Sequence, residues 1–179
     1  MYLTQLVKPD VRGIFVDTGA HFRETKTVTT VWGMLYKSNI ITVKPSVKYI
    51  NFAVDKTDCC FNNKVKPQHD AIRDLGVKAL ITGIRRSDGG GREGAKPFEE
   101  RVTYHGYKYV QVNPILDWSE EDVLNFLQLN GVMLNNLYYK GYRSIDCHPC
   151  TLPVKEGGTE RSGRIKDNAL STLRNMGYY

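Results

Sequence analysis

The sequence has 179 residues, room for one domain with a sizeable core and little for a second. Hydrophobic residues make up 41% and charged residues 25%, which excludes a disordered polyelectrolyte. Lys and Arg outnumber Asp and Glu by 25 to 19, a net charge of +6 that suits small anions as partners. Pro114 to Asn130 holds Asp117, Glu120, Glu121 and Asp122 without a Lys or Arg, so the remainder is more basic still. No long basic run or aromatic-rich RNA-reading signature occurs, and nucleic acid ranks low as a partner. No apolar stretch approaches the roughly 18 residues of a membrane span, and MYLTQLVKPD has no basic leader or cleavage site. The expectation is a cytoplasmic protein that meets no membrane.

In chain order, Gly13 to Thr18 (GIFVDT) reads as a buried parallel strand opening into a loop at Asp17-Thr18-Gly19, the end where such sheets bind ligands. Glu24 to Lys37 is expected to be a helix despite its β-branched run from Thr27 to Val31. Ile40 to Val43 suggests a strand, stopped by Pro45. Lys64 to Leu75 carries Val65, Ala71, Ile72 and Leu75 at near-helical spacing with Gly76 as its stop, which places the first cysteine pair just before a helix N-terminus. Ala79 to Ile84 (ALITGI) reads as a strand running into Gly83 and a mobile glycine-rich loop from Arg85 to Pro97. Tyr107 to Val112 reads as a further strand. Ser119 to Asn130 reads as a helix capped by Ser119 and Asp122, with Val123, Phe126 and Leu127 on its core face and Gly131 after it. Strands alternating with helices give an α/β fold, a parallel sheet flanked by helices.

The four cysteines form an adjacent pair, Cys59-Cys60, and a C-x-x-C pair, Cys147-Cys150, in the string CHPC. A reducing cytosol disfavours disulfides, so metal binding is the better reading. Zinc sites usually take both arms as spaced pairs, because the spacer lets both sulfurs point inward at tetrahedral angles. Adjacent cysteines do this poorly. A 4Fe-4S cube presents separate iron corners to neighbouring residues and is favoured, with zinc as the alternative and His69 and His148 available as substitute ligands.

Four segments, VDTGAHFRET (Val16 to Thr25), CCFNNKVKP (Cys59 to Pro67), ITGIRRSD (Ile81 to Asp88) and VNPILDWSEEDV through CHPCT (Val112 to Thr151), together span most of the chain. On these motifs the chain resembles the sulfonucleotide reductases, the phosphoadenosine phosphosulfate and adenylyl sulfate reductase family of the adenine nucleotide alpha hydrolase-like superfamily. The resemblance implies a Rossmann-like fold and reduction of adenylyl sulfate or phosphoadenylyl sulfate to sulfite in sulfate assimilation, with a thioredoxin-like reductant. It also implies a 4Fe-4S cluster on Cys59, Cys60, Cys147 and Cys150. By motif position, Lys64 lies between cluster and substrate, Gly83, Arg85 and Arg86 hold the anion, and Asp17, Thr18 and Gly19 contact the nucleotide.

The tail, TERSGRIKDNALSTLRNMGYY, is similar to the end of the nucleotide-binding small subunit of sulfate adenylyltransferase, and the ERxGR pattern implies phosphate or sulfate contact by Arg161 and Arg164. The family's first strand with its SGGxDS loop, and its ECGLH-like tail with the nucleophilic cysteine, do not occur within these residues. The expectation is therefore a single, N-terminally incomplete domain over 1–179, with a cluster-binding and tail segment from 147 to 179, whose nucleophile comes from elsewhere. The alternatives are an adenylyltransferase-type ATP-binding subunit with a GTPase partner, or a zinc-stabilised module without catalysis. A homo-oligomer stays open.

Overall fold

Two apolar stretches, Ile14 to Val16 and Ile40 to Val43, become the parallel strands β1 (Arg12–Val16) and β2 (Asn39–Val43), with Arg12 opposite Asn39 and Val16 opposite Val43. They belong to a computed structural model that describes residues 1–46 and 56–164. The chain divides into two compact units, Met1–Lys44 with Leu124–Ile165, and Pro45–Val123 with Lys166–Tyr179.

In the first unit, α1 (Tyr2–Val7) precedes β1, and α2 (Arg23–Leu35) makes the connection to β2. The β-branched run in α2 is accommodated because Thr29 and Thr30 turn their hydroxyls back onto the carbonyls of Thr25 and Lys26, at 3.0 and 3.1 Å. Lys37 takes a positive φ of 47° just after this helix. Aromatic edges join the helices: Tyr36 meets Trp32 at 5.1 Å and Tyr2 at 5.4 Å, and Tyr2 meets Phe126 at 6.2 Å. Trp32 Nε1 donates to Met133 O at 3.2 Å, so the half-buried indole satisfies its N–H.

In the second unit one continuous helical segment runs through α3 (Lys56–Cys60), a π-helical turn (Phe61–Val65) and α4 (Lys66–Asp74). This corrects the expected start at Lys64. The cysteine pair lies inside a helical segment rather than before one. Val65 and Ile72 are completely buried, which is why the helix runs on through the polar stretch Asn62-Asn63-Lys64. Three strands follow, β3 (Ala79–Ile81), β4 (Phe98–Val102) and β5 (Lys108–Val112), in the order β3-β5-β4. β3 pairs with β5 in parallel, as expected, but β4 was not foreseen and is antiparallel to β5, with Phe98 opposite Val112 and Val102 opposite Lys108. The sheet is therefore mixed. Thr103 N–H donates to Tyr107 O and Gly106, at φ 80°, turns the hairpin. α5 (Glu120–Leu129) is capped by Ser119, whose Oγ accepts from Asp122 N–H at 3.0 Å while Asp122 accepts from Ser119 N–H at 2.8 Å.

The covered face of this sheet carries polar side chains beside the buried Tyr109. Gln111 and Asn113 are buried, and Asn113 Oδ1 accepts from Thr82 Oγ1 at 2.6 Å and Gln111 Nε2 at 2.8 Å, while Asn113 Nδ2 donates to Lys96 O at 2.8 Å. A buried network of this kind is stable only when its members are satisfied, and it ties β3, β5 and the segment before β4 to one another. The hairpin tip is fastened to α4: Tyr104 N–H donates to His69 Nδ1 at 3.1 Å, and Asp70 Oδ1 accepts from Tyr104 Oη at 2.5 Å and pairs with His105 Nε2 at 2.7 Å. Burial, with Asp70 beside it, pushes the Tyr104 hydroxyl up to about 12. Among the described residues no helix is long and apolar enough to cross a membrane.

His69 is buried with Nδ1 accepting a hydrogen bond, so its folded form is neutral, and burial lowers its pKa against the opposing pull of Asp70. The unfolded chain then binds the proton more readily, and stability falls as pH drops below the unfolded histidine value of about 6.5. Melting followed by circular dichroism from pH 7.5 to 5 should show a declining midpoint. His69→Gln should flatten that decline while lowering the midpoint at pH 7.5, and an unchanged slope would refute the assignment.

Candidate functional site

In the first unit the carboxyl end of β1 meets the C-x-x-C turn. Asp17, just beyond the strand, accepts from Gly19 N–H at 3.0 Å and from Lys26 Nζ at 3.2 Å, an Asx turn that needs Gly19 at φ 77°. Burial pushes the Asp17 carboxyl up, but the Gly19 N–H and Lys26 outweigh it and hold the group below its usual range. Thr18 is buried, accepts from Ala20 N–H at 3.2 Å, and places its hydroxyl 3.3 Å from Cys147 Sγ. The backbone repeats that contact: His21 bridges antiparallel to Cys147, and His148 N–H donates to Ala20 O at 2.8 Å. Pro149 sits in the 3₁₀ turn from His148 to Cys150, and Cys150 N–H closes it onto Cys147 O at 2.9 Å. The His148 ring stands edge-on to Phe22 at 4.8 Å.

Arg161 and Arg164 come to the same unit. Thr151 bridges to Arg164, Leu152 N–H donates to Gly163 O, and a Cβ at Gly163 would lie 2.1 Å from Leu152 O, so only glycine permits this approach. Both guanidinium groups reach Ser144 Oγ, Arg161 Nη1 at 3.3 Å and Arg164 Nη1 at 3.4 Å, and Arg164 Nη2 also pairs with the Asp146 carboxylate. Two fixed positive planes converging on one hydroxyl three residues from Cys147 can bind a tetrahedral oxyanion through several N–H donors. Ser144 and Asp146 carried no signal in the sequence beyond their nearness to CHPC. The rest of the tail resemblance, Ile165 to Tyr179, lies outside the described residues.

In the second unit Cys59 and Cys60 are both buried. The side-chain amide of Asn63 donates to Cys59 O at 2.9 Å and points toward Cys59 Sγ at 3.6 Å. Lys64 lies in the same π-helical turn. Gly83 follows β3 and leads into Arg85 and Arg86, which differ from a pair of equivalent anion receptors. Arg85 is almost fully buried and grips Asp88, its N–H and Nη2 donating to the two carboxylate oxygens at 3.0 and 2.9 Å. Arg86 reaches Asp117 at 2.6 Å and the carbonyls of Glu93 and Ala95 at 2.9 and 2.5 Å. The glycine-rich loop expected to be mobile is thus fastened by its own arginines, with Ile84, Ala95 and Leu116 packed beneath it. An anion arriving at Arg85 or Arg86 competes with Asp88 or Asp117.

The four cysteines are thiols rather than disulfides, three of them buried and Cys150 half-buried. Within either unit by itself, the described residues group no three Cys, His, Asp or Glu side chains as a metal site. A neutral buried thiol has little use for a polar hydrogen beside it, whereas a metal-bound thiolate does. The Asn63 amide supplies one at Cys59, and the Thr18 hydroxyl, whose contact with Cys147 can run in either direction, is placed to supply one there when that sulfur is a thiolate, so the donor set suits a thiophilic centre. Of the two histidines held in reserve for zinc, His69 spends Nδ1 on Tyr104.

Residues 1–153 match the model of the phosphoadenosine phosphosulfate reductase domain. The chain is 35% identical over 167 residues to a protein named adenosine 5'-phosphosulfate reductase from Mycolicibacterium smegmatis, covering 88% of this chain and 69% of that one. It is 35% identical over 173 residues to the protein of that name from Mycobacterium tuberculosis, covering 90% of this chain and 65% of the relative. The chain thus spans about two thirds of the length of these relatives. A crystal structure of phosphoadenylyl-sulfate reductase from Candida auris, a phosphate complex, superposes with a TM-score of 0.70 at 24% identity over 83% of this chain and 74% of that one. FMN adenylyltransferase from Candida glabrata superposes with a TM-score of 0.63 at 18% identity over 88% of this chain and 55% of that one, so the fold is shared beyond the reductases. With the family model covering most of its length and the curated relatives agreeing, this chain belongs to the phosphoadenosine phosphosulfate reductase domain family.

Proposed function

We propose that the chain binds adenylyl sulfate and takes part in its reduction to sulfite, with Cys59, Cys60, Cys147 and Cys150 as the ligands of a 4Fe-4S cluster. The observation that carries this reading is that the Asn63 amide is directed at Cys59 Sγ and the Thr18 hydroxyl lies 3.3 Å from Cys147 Sγ, in a chain 35% identical to proteins named adenosine 5'-phosphosulfate reductase. Those names also favour the substrate without a 3'-phosphate. The cluster, when bound, would cross-link the two segments that carry the pairs.

The chain's own residues supply anion recognition and order. Arg161 and Arg164, held on Ser144, bind the sulfate or phosphate oxygens. Lys64 adds a positive charge next to the cluster-bearing turn, and Gly83, Arg85 and Arg86 hold a second anionic group by exchanging Asp88 or Asp117 for ligand oxygens. Asp17, Thr18 and Gly19 form the nucleotide-facing end of β1. The chemistry is attack of a cysteine thiolate on the sulfate sulfur: a new S–S bond forms, the S–O bond to the phosphate breaks, and AMP leaves with that electron pair. A dithiol of the thioredoxin class then displaces sulfite and becomes a disulfide, which provides the two electrons. With all four cysteines ligating the cluster, the attacking thiolate comes from outside residues 1–179.

Two experiments test this reading. Protein purified without oxygen should contain about four irons and about four acid-labile sulfides per chain, and Cys59→Ser should lose most of both. About one zinc per chain, or no metal, would replace the cluster by one of the other readings. Separately, calorimetric titration with adenylyl sulfate should show binding weakened roughly tenfold or more in Arg161→Ala, the size of one lost charge-assisted hydrogen bond. Equal affinity in the two proteins removes Arg161 from the site.

A further inference from the structure

We infer that Asn63 is a positioning residue for Cys59, donating an N–H···S hydrogen bond that stabilises this sulfur as a ligand; the inference rests on the cluster reading above. Asparagine in a helix interior is a poor helix former, because its side chain competes for backbone groups. Here that competition has a direction. Lys66 N–H reaches Phe61 O, five residues back, which widens the turn that follows the cysteines. In this widened turn the side-chain amides of Asn62 and Asn63 each take the carbonyl four residues earlier, Asp58 O and Cys59 O, both at 2.9 Å.

The two asparagines differ in what else they meet. The Asn62 bond is exposed, whereas Asn63 is 4% exposed and its Nδ2 also stands 3.6 Å from Cys59 Sγ. A buried amide hydrogen beside a metal-bound thiolate draws charge off the sulfur, shifts the metal–sulfur bond and slows loss of the ligand. The Thr18 hydroxyl makes the corresponding contact to Cys147. With Cys147 as a thiolate, Thr18 is the donor in that contact, and one sulfur of each cysteine pair is then addressed by a side chain that does not itself ligate. π turns are uncommon and often mark functional sites, and this one brings a side-chain donor within reach of a sulfur on the same helix.

The test uses the full chain reconstituted without oxygen with ferrous iron and sulfide, comparing the natural sequence with Asn63→Leu, Asn63→Asp and Asn62→Ala. Asn63→Asp keeps the side-chain shape but removes the N–H, so it stands in if Asn63→Leu fails to fold. The read-outs are the iron–thiolate stretching bands by resonance Raman, in water and in deuterium oxide, and the rate of iron loss to a chelator. Removing the Asn63 donor should reduce the deuterium-sensitive shift of these bands, leaving the part due to Thr18, and speed iron loss roughly tenfold. Asn62→Ala should match the natural sequence in both. Unchanged bands and iron loss in both Asn63 variants, with a normal cluster in the natural sequence, overturn the role of Asn63 and leave the cluster reading standing. A natural sequence that takes up no iron overturns both. A lower melting temperature of the metal-free Asn63 variants with unchanged bands assigns Asn63 to the helix alone.

Discussion

Segments 129 residues apart meet where the Thr18 hydroxyl lies against Cys147 Sγ. The contact is more than one side-chain pair. Ala20 and His21 pair through their backbones with His148 and Cys147, so the loop after β1 and the C-x-x-C turn are joined by main-chain hydrogen bonds. The Arg164 segment is then held on Thr151 and Leu152 just beyond the turn. Strand end, cysteine turn and arginine pair therefore stand in one order because the backbone pairs in that order. A shift of one residue at His21 and Cys147 would turn alternate side chains to the opposite side and carry Thr18 away from the sulfur.

Much of this was legible from composition and spacing. Runs such as Ile14-Phe15-Val16 and Ile40-Ile41-Thr42-Val43 are short, apolar and bounded by turn residues, and they form the parallel pair they suggest. Ser119 and Asp122 make the cap their spacing implies. Phe98 to Val102 escaped notice because two glutamates and an arginine interrupt it. Alternation across the TYHG turn was the available signal, with Glu99 and Arg101 paired on the covered side. The helix through Cys59 and Cys60 escaped for a different reason. Local propensity falls at Asn62 and Asn63, while the burial of Val65 and Ile72 that keeps the segment helical belongs to tertiary packing.

The charged residues show a similar limit. A tandem Arg85-Arg86 after a strand reads as an anion receptor, yet sequence spacing does not reveal that Asp88 and Asp117 stand opposite these side chains. Arg161 and Arg164 were equally legible as cations, but the hydroxyl that gathers them, Ser144, and the carboxylate that pairs with Arg164, Asp146, emerge only from folding. Net positive charge thus overstates how many cations are available to a ligand. The carboxylates near these arginines set a threshold, because an oxyanion must offer more than Asp88, Asp117 or Asp146 does before it displaces them.

The π turn at Phe61 to Val65 is geometrically one residue added to an α-helix. In a regular α-helix an added residue rotates everything after it by about 100°; the widened turn takes up that residue and keeps α4 in phase with the cysteines. Were the turn to close into a regular helix of the same length, His69 and Ile72, both buried on α4, would swing out toward solvent, and Arg73 would swing toward the interior. The length of this stretch is thus under a phasing constraint. Substitutions within it can be absorbed one side chain at a time, but a residue added beyond the one the turn takes up would alter the angular relation between the sulfur pair and the hydrophobic face of α4.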